Sequence, residues 1–223
     1  MKKFMRFFLN HWNGYHLASL VKPVLWNISV TDKILVLAPH ADDESIGCGG
    51  LLAKFGPQCD VVLLTDGAFG KDDNTRLLRE QEFSSVMNFF KVHSFSFMRA
   101  QDTRLIEAYD LFKKIDFSSY DYVVMPHPLD PHKDHVVPQA FFKRLKKENP
   151  AIKAKAVYYE VWGAMAQPTH LLNITAVTDI KKKAIDMYVS QSNIAYADRI
   201  LALNHYRGMR ADIAYAEAYE IEK

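Results

Sequence analysis

Five short, almost unbroken apolar runs recur along this chain of 223 residues, at 33–38, 60–65, 94–98, 121–125 and 155–160. Asp60-Val61-Val62-Leu63-Leu64-Thr65 is representative. Runs that are apolar at nearly every position, not at every second one, suit strands covered on both faces, as in a parallel sheet. Helical patterns lie between them. From Asn74 to Lys91 the apolar residues Leu77, Leu78, Phe83, Val86, Met87 and Phe90 fall at three-to-four spacing, and 104–115 and 135–148 read alike. Segments 179–189 and 209–221 predict two C-terminal helices. Strand and helix alternate over the first 150 residues, so the expected class is α/β, a doubly wound, mostly parallel sheet with helices on both faces.

The length suits one domain, expected over 31–223, with residues 1–30 as an arm or helix of unassigned role. An apolar fraction of 49% and a charged fraction of 24% are those of an ordinary globular protein. A net charge of +2 shows no concentrated basic face, so no nucleic-acid partner is expected. The two cysteines, Cys48 and Cys59, exclude a disulfide framework and fit a reducing cytoplasm. The segment Met1-Lys2-Lys3-Phe4-Met5-Arg6-Phe7-Phe8-Leu9 is basic and apolar, but Asn10, His11, Asn13 and His16 interrupt it before a signal-peptide core forms. No window reaches the roughly 18 apolar residues of a membrane span. The arm is expected to pack on the domain or on a second subunit, which leaves a homo-oligomer open.

Chemistry concentrates where the apolar runs stop. Pro39-His40-Ala41-Asp42-Asp43-Glu44 follows the first run, and His127-Pro128-Leu129-Asp130-Pro131-His132-Lys133-Asp134-His135 follows the fourth. Clustered acids repel and resist desolvation unless a cation or individual partners compensate them. In an open α/β sheet the crevice lies beyond the carboxyl ends of the strands, so both clusters face one site. His40 and Asp43 at a His-x-x-Asp spacing, with His135 as third ligand, make a catalytic zinc pattern that leaves room for water. Iron, cobalt, nickel and manganese suit the same nitrogen and oxygen donors. His132 is the alternative third ligand; otherwise it flanks the metal as an imidazolium that holds an oxyanion, with Asp130 or Asp134 on its second nitrogen. Asp42 is the candidate general base, against the plainer reading of a helix N-cap. Glu44 is expected behind the ligands. Arg79, Asp66 (in Thr65-Asp66-Gly67 after the second run) and His127 are the candidates for touching substrate. Gly47-Cys48-Gly49-Gly50 fits close helix–sheet packing and lacks either nucleotide-binding fingerprint.

These motifs, with Arg79-x-x-Glu82, Tyr188-x-Ser190-Gln191 and Tyr215-Ala216-Glu217-Ala218-Tyr219, make the chain resemble the PIG-L/LmbE-like N-acetylglucosaminyl deacetylases over about 33–221. The resemblance implies a Rossmann-like fold and zinc-dependent hydrolysis of the acetamide on a small-molecule N-acetylglucosamine-type sugar conjugate. Carried over by motif, His40, Asp43 and His135 would bind the metal. Asp42 would be the base, His132 the oxyanion holder and Arg79 a substrate contact. Ala41 and Lys133 stand where the family usually has proline, and neither change removes a ligand.

Overall fold

Each of the five apolar runs forms a strand in the computed structural model, which describes residues 22–68, 72–191 and 196–222. They are β2 (Ile34–Ala38), β3 (Cys59–Thr65), β4 (Ser94–Ala100), β5 (Tyr122–Pro126) and β6 (Lys155–Tyr159). Three more strands, β1 (Val24–Leu25), β7 (His170–Asn173) and β8 (Ala216–Ile221), complete a sheet in the order β1-β7-β8-β6-β5-β2-β3-β4. All neighbours pair in parallel except β8, which runs antiparallel to both β6 and β7. Helices α1 (Asp43–Phe55), α2 (Asp73–Phe90), α3 (Val137–Glu148), α4 (Thr178–Asp186) and α5 (Tyr196–Gly208) accompany it.

The apolar core divides by residue parity. Ile34, Val36 and Ala38 of β2 join one cluster with Val61, Leu63 and the α1–α2 side chains Leu51 and Phe83. Leu35 and Leu37 join the other, with Val62, Leu64 and Phe141 and Phe142 of α3. Successive strand side chains point to opposite faces, so a wholly apolar run is what a sheet with two covered faces requires. Burying these aliphatic and aromatic side chains contributes roughly 1.5–3 kcal/mol each.

Two expectations are corrected. Segment 209–221 is one 3₁₀ turn, Met209–Ala211, followed by β8, and the last long helix is the unanticipated α5. Ala-Glu-rich sequence favours helix in isolation, but here Ala216, Glu217, Ala218 and Tyr219 are buried between β6 and β7, and their backbones complete the ladder. Segment 104–115 holds only a 3₁₀ turn at Leu105–Glu107 and a single helical turn at Tyr109–Phe112. Residues 22–30, expected with the arm, supply β1 and the core residue Trp26. β1 pairs with β7, and Trp26 packs edge-on against Tyr219 at 4.9 Å and Tyr122 at 5.4 Å. The rest of the arm lies outside the described residues.

Strands β2 and β5 are neighbours although β3 and β4 lie on the far side of β2. The chain therefore reverses its winding direction between β2 and β5, and a crevice opens at their carboxyl ends. The two charged clusters leave from those ends.

Candidate metal centre and cavity

Where β2 ends, Thr65 of β3 pins the chain: its Oγ1 and its N–H both donate to the Pro39 carbonyl, at 2.7 and 3.1 Å. The next residues turn sharply into α1. His40 N–H donates to Asp43 Oδ2 at 2.8 Å. Asp42 stands at the helix N-cap with φ 126°, yet its side chain makes no capping bond. A non-glycine residue there carries strain on the order of 1–3 kcal/mol, which the surroundings must impose. Glu44 is part of them. It is fully buried, its Oε2 accepts the Asp42 N–H at 3.3 Å, and its Oε1 accepts the hydroxyls of Ser45 and Tyr188, both at 2.6 Å. The plainer reading of Asp42 as a cap thus fails on geometry, and its carboxylate lines the cavity.

The loop after β5 brings the second cluster against the first. Asp43 Oδ2 lies 3.1 Å from His135 Nε2 and 3.3 Å from His40 Nδ1, and those two nitrogens are 3.2 Å apart. Ligands about 2.0–2.1 Å from a tetrahedral ion lie about 3.3–3.4 Å from one another. The triangle therefore has the size of one face of such a coordination sphere. His132 is close behind, its ring centroid 4.7 Å from that of His40 and 4.6 Å from that of His135. His40 with His132 and His135, and His40 with Asp102 and Asp134, also bring their donor atoms within 4.8 Å of one another.

Carboxylates back both ligand imidazoles. Asp130 Oδ1 lies 3.0 Å from His135 Nδ1, and Asp102 Oδ1 and Asp134 Oδ2 lie 3.2 and 3.5 Å from His40 Nε2. Neither nitrogen has the alignment of a full hydrogen bond, so both buried atoms remain short of a partner. Burial would lower the His40 pKa, but Asp102, Asp134 and Asp43 outweigh it and hold it well above the imidazole range. For His135 burial is likewise outweighed, by Asp43 and then Asp130, to about 9. Burial also fails to raise Asp43, which the two histidines hold far below the usual carboxylate range. The centre demands positive charge. A divalent cation meets that demand and displaces the two imidazole protons, as metal binding generally does. The residues present fit such an ion.

The flanking groups differ. Burial, then the charges of Asp43 and Glu44, hold the Asp42 carboxyl well above its ordinary value, and burial pushes Glu44 to about 7. His132 is lowered by partial burial and by the charges of His40 and His135. That direction runs against the imidazolium expected from sequence. Its Nδ1 accepts the Asp134 N–H at 3.3 Å, which leaves the ring proton on Nε2. Neither expected carboxylate holds its second nitrogen: Asp130 serves His135 and the His132 backbone, and Asp134 serves His40 and the N–H groups of Thr103 and Leu105.

A cavity of about 370 Å³ opens over the triangle. His40, Asp42, Asp43, His132 and Arg79 line it, as the motifs suggested, and Asp102, Thr103, Trp162, Gln191 and Tyr196 join them. Asp66 and His127, expected to touch substrate, organise loops instead. Asp66 Oδ1 accepts the Ala68 and Asp102 N–H groups, both at 3.1 Å. His127 donates from Nε2 to the Gly163 carbonyl at 2.8 Å, and its Nδ1 accepts the Leu129 N–H. Glu82 does not pair with Arg79; it accepts the Ser190 N–H and hydroxyl at 2.8 and 2.6 Å, fixing the turn that presents Gln191. Asp102 and Trp162 each follow a strand's carboxyl end, a signal the strand pattern already carried. Isolated in sequence, neither formed a motif. A second hollow of about 400 Å³ beside β4, near Phe97, Lys114 and Tyr120, gathers no comparable set of ligands.

The family model described as PIG-L, GlcNAc-PI de-N-acetylase, matches residues 35–145, which hold both ligand clusters. Residues 35–145 form a PIG-L domain. A family relative in Thermococcus kodakarensis, a diacetylchitobiose deacetylase, is 27% identical over 71% of this chain and 70% of its own length. Among solved structures, the N,N′-diacetylchitobiose deacetylase of Pyrococcus horikoshii, complexed with an inhibitor, superposes with a TM-score of 0.73 at 21% identity, covering 86% of this chain and 84% of that one. GalB of Pseudomonas putida, a 4-carboxy-2-hydroxymuconate hydratase, reaches 0.69 at 19% identity, covering 86% and 96%. At these identities the structural likenesses establish the PIG-L fold, and that fold carries more than one reaction.

Proposed function

We propose that this protein is a zinc-dependent N-deacetylase that hydrolyses the acetamide of an N-acetylglucosamine-type sugar conjugate to free amine and acetate, acting in the cytoplasm. The observation that carries the reading is the His40–Asp43–His135 triangle, closed at 3.1–3.3 Å, with Asp42 and His132 beside it on one cavity. The family and its diacetylchitobiose-deacetylating relative support the substrate class. Two free, buried cysteines fit a reducing compartment. No described helix is long and apolar enough to cross a membrane.

A divalent cation held by the triangle would polarise the acetamide carbonyl and acidify a water toward a pKa of about 7. Asp42, free of any capping bond and raised by burial, takes the proton of the attacking water. His132 donates its Nε2 proton in a hydrogen bond to the carbonyl oxygen as negative charge builds there. Asp42 then returns its proton to the amide nitrogen, the C–N bond breaks, and acetate and the amine depart. Water supplies the added oxygen and both hydrogens. Arg79 has no carboxylate hydrogen-bonded to its guanidinium among the described residues, and it is left to hold substrate oxygens.

Because a hydratase shares the fold, the bond cleaved must be measured. Metal content and acetate release from N-acetylglucosamine and N,N′-diacetylchitobiose are compared for wild type and Asp42→Ala, with longer N-acyl analogues alongside. The variant is expected to retain metal and lose at least about 100-fold in turnover. Undiminished turnover removes Asp42 from the mechanism. Preference for a longer acyl group moves the enzyme to another amide.

A further inference from the structure

Several large apolar side chains are exposed on this molecule, but among the described residues only Trp162 is both half exposed and part of the cavity wall. Its setting is rigid. The Trp162 N–H donates to Asp130 Oδ2 at 2.9 Å and the Gly163 N–H donates to the same oxygen at 3.2 Å, while the Gly163 carbonyl accepts from His127 at 2.8 Å. The other Asp130 oxygen is the one beside His135. A single carboxylate thus ties the backbone of an exposed indole to the backing of a ligand histidine. Tyr196, at the start of α5, meets the indole edge-on, with ring centroids 5.5 Å apart at 68°, and lines the same cavity.

Apart from these two rings, the wall is polar: Asp42, Arg79, Asp102, His132 and Gln191 all reach it. A ligand that satisfies both parts needs a flat apolar C–H face and a rim of oxygens. A pyranose has that shape, and a linear acyl amide does not. Exposed tryptophan is otherwise unfavourable in water, and the π-face is where such a ring packs.

The geometry points to Trp162, braced by Tyr196, as the stacking platform for a sugar ring of the substrate, and so as a determinant of preference for glycosides over simple acetamides. This inference rests on the deacetylase reading for the identity of the ring, and its test has a readout that needs no turnover. Chelator-treated protein is titrated with N-acetylglucosamine and with N,N′-diacetylchitobiose while tryptophan emission is followed, for wild type, Trp162→Phe and Trp162→Ala, with affinities read by calorimetry. Of the three tryptophans, Trp26 is buried in the core and Trp12 lies outside the described residues, and the Phe variant removes only the Trp162 signal. Wild type is expected to give a saturable emission change that Trp162→Phe lacks. Affinity should fall about tenfold in Trp162→Ala and return largely in Trp162→Phe, in line with the worth of an aromatic contact. With metal restored, KM for N,N′-diacetylchitobiose should rise about tenfold in Trp162→Ala, with the smaller part of the loss in kcat. An emission change retained by Trp162→Phe, unaltered affinity in Trp162→Ala, or no sugar binding to wild type overturns the platform. A Trp162-dependent sugar response without acetate release leaves the platform standing and overturns the deacetylase reading. Acetate release with KM unchanged in Trp162→Ala does the reverse.

Discussion

At Asp130 one carboxylate oxygen lies beside His135 Nδ1 while the other accepts the N–H groups of Trp162 and Gly163. An Asp130→Asn change keeps the shape but removes the charge that makes the ligand imidazole basic. Metal affinity is expected to fall about 10–100-fold, measured by competition with a chromogenic chelator, and unaltered affinity would remove Asp130 from this role. The run His40-Ala41-Asp42-Asp43-Glu44 was legible in the sequence because one turn delivers its groups together. One of the two carboxylates that back His40 was not. Asp102 comes from the loop after β4, stands alone in a stretch without a motif, and reaches His40 only through the folded sheet.

Helix α1 owes its closeness to the sheet to missing side chains. A β-carbon at Gly47 would stand 2.1 Å from Tyr159 Cδ2, and one at Gly50 2.2 Å from Ile174 Cγ2. Tyr159 is fully buried and its hydroxyl donates to the Leu37 carbonyl at 2.9 Å, so the ring has nowhere to go. Gly47→Ala should cost about 1–3 kcal/mol in urea unfolding, and an unshifted midpoint would show that α1 can retreat without loss. Elsewhere in the sheet, Asp60 of β3 ties the start of β4 to the segment just before β5. It accepts from Ser94 Oγ at 2.6 Å, His93 Nδ1 at 2.7 Å and Tyr120 OH at 2.8 Å. Partial burial would raise its pKa, but these bonds outweigh it and set it below the ordinary 3.8. A depressed carboxylate stabilises the fold above its unfolded pKa, and that contribution is lost as pH falls through the lower folded value. The stability difference between wild type and Asp60→Asn, about 1–3 kcal/mol near neutrality, should therefore hold steady down to about pH 4 and shrink below it in pH-stepped thermal melts. A difference that grows on acidification would contradict this assignment.

Across the whole molecule, the C-terminal third closes the site from behind. Glu217 of β8 pairs with Lys181 of α4 at 2.7 Å, both fully buried, and also accepts the Gly50 and Leu51 N–H groups of α1 at 2.6 and 2.9 Å. Tyr188, just after α4, reaches Glu44. A cation in the triangle would bridge the loops after β2 and β5 in the folded chain alone. Zinc held at a free concentration a hundredfold above its dissociation constant should then stabilise the fold by about 2.7 kcal/mol over chelator-treated protein. The gain should vanish in Asp43→Asn. Equal melting with and without zinc would mean that no ion binds between those loops.

Hydrophobic pattern alone determined the parallel strands, the two-faced core and the placing of His40, Asp42, Asp43, His132 and His135 at strand ends, because burial on both faces leaves a strand no polar positions and pushes charge to its termini. It misjudged β8 as helix, since local propensity cannot register a gap between β6 and β7 that only a strand fills. The distances that make three side chains a coordination face, the use of Asp66 and His127 as braces, and the entry of Asp102, Trp162, Gln191 and Tyr196 into the cavity were decided by tertiary structure. Each depends on which loops the strand order brings side by side, and residues far apart in the chain carry no mark of that adjacency.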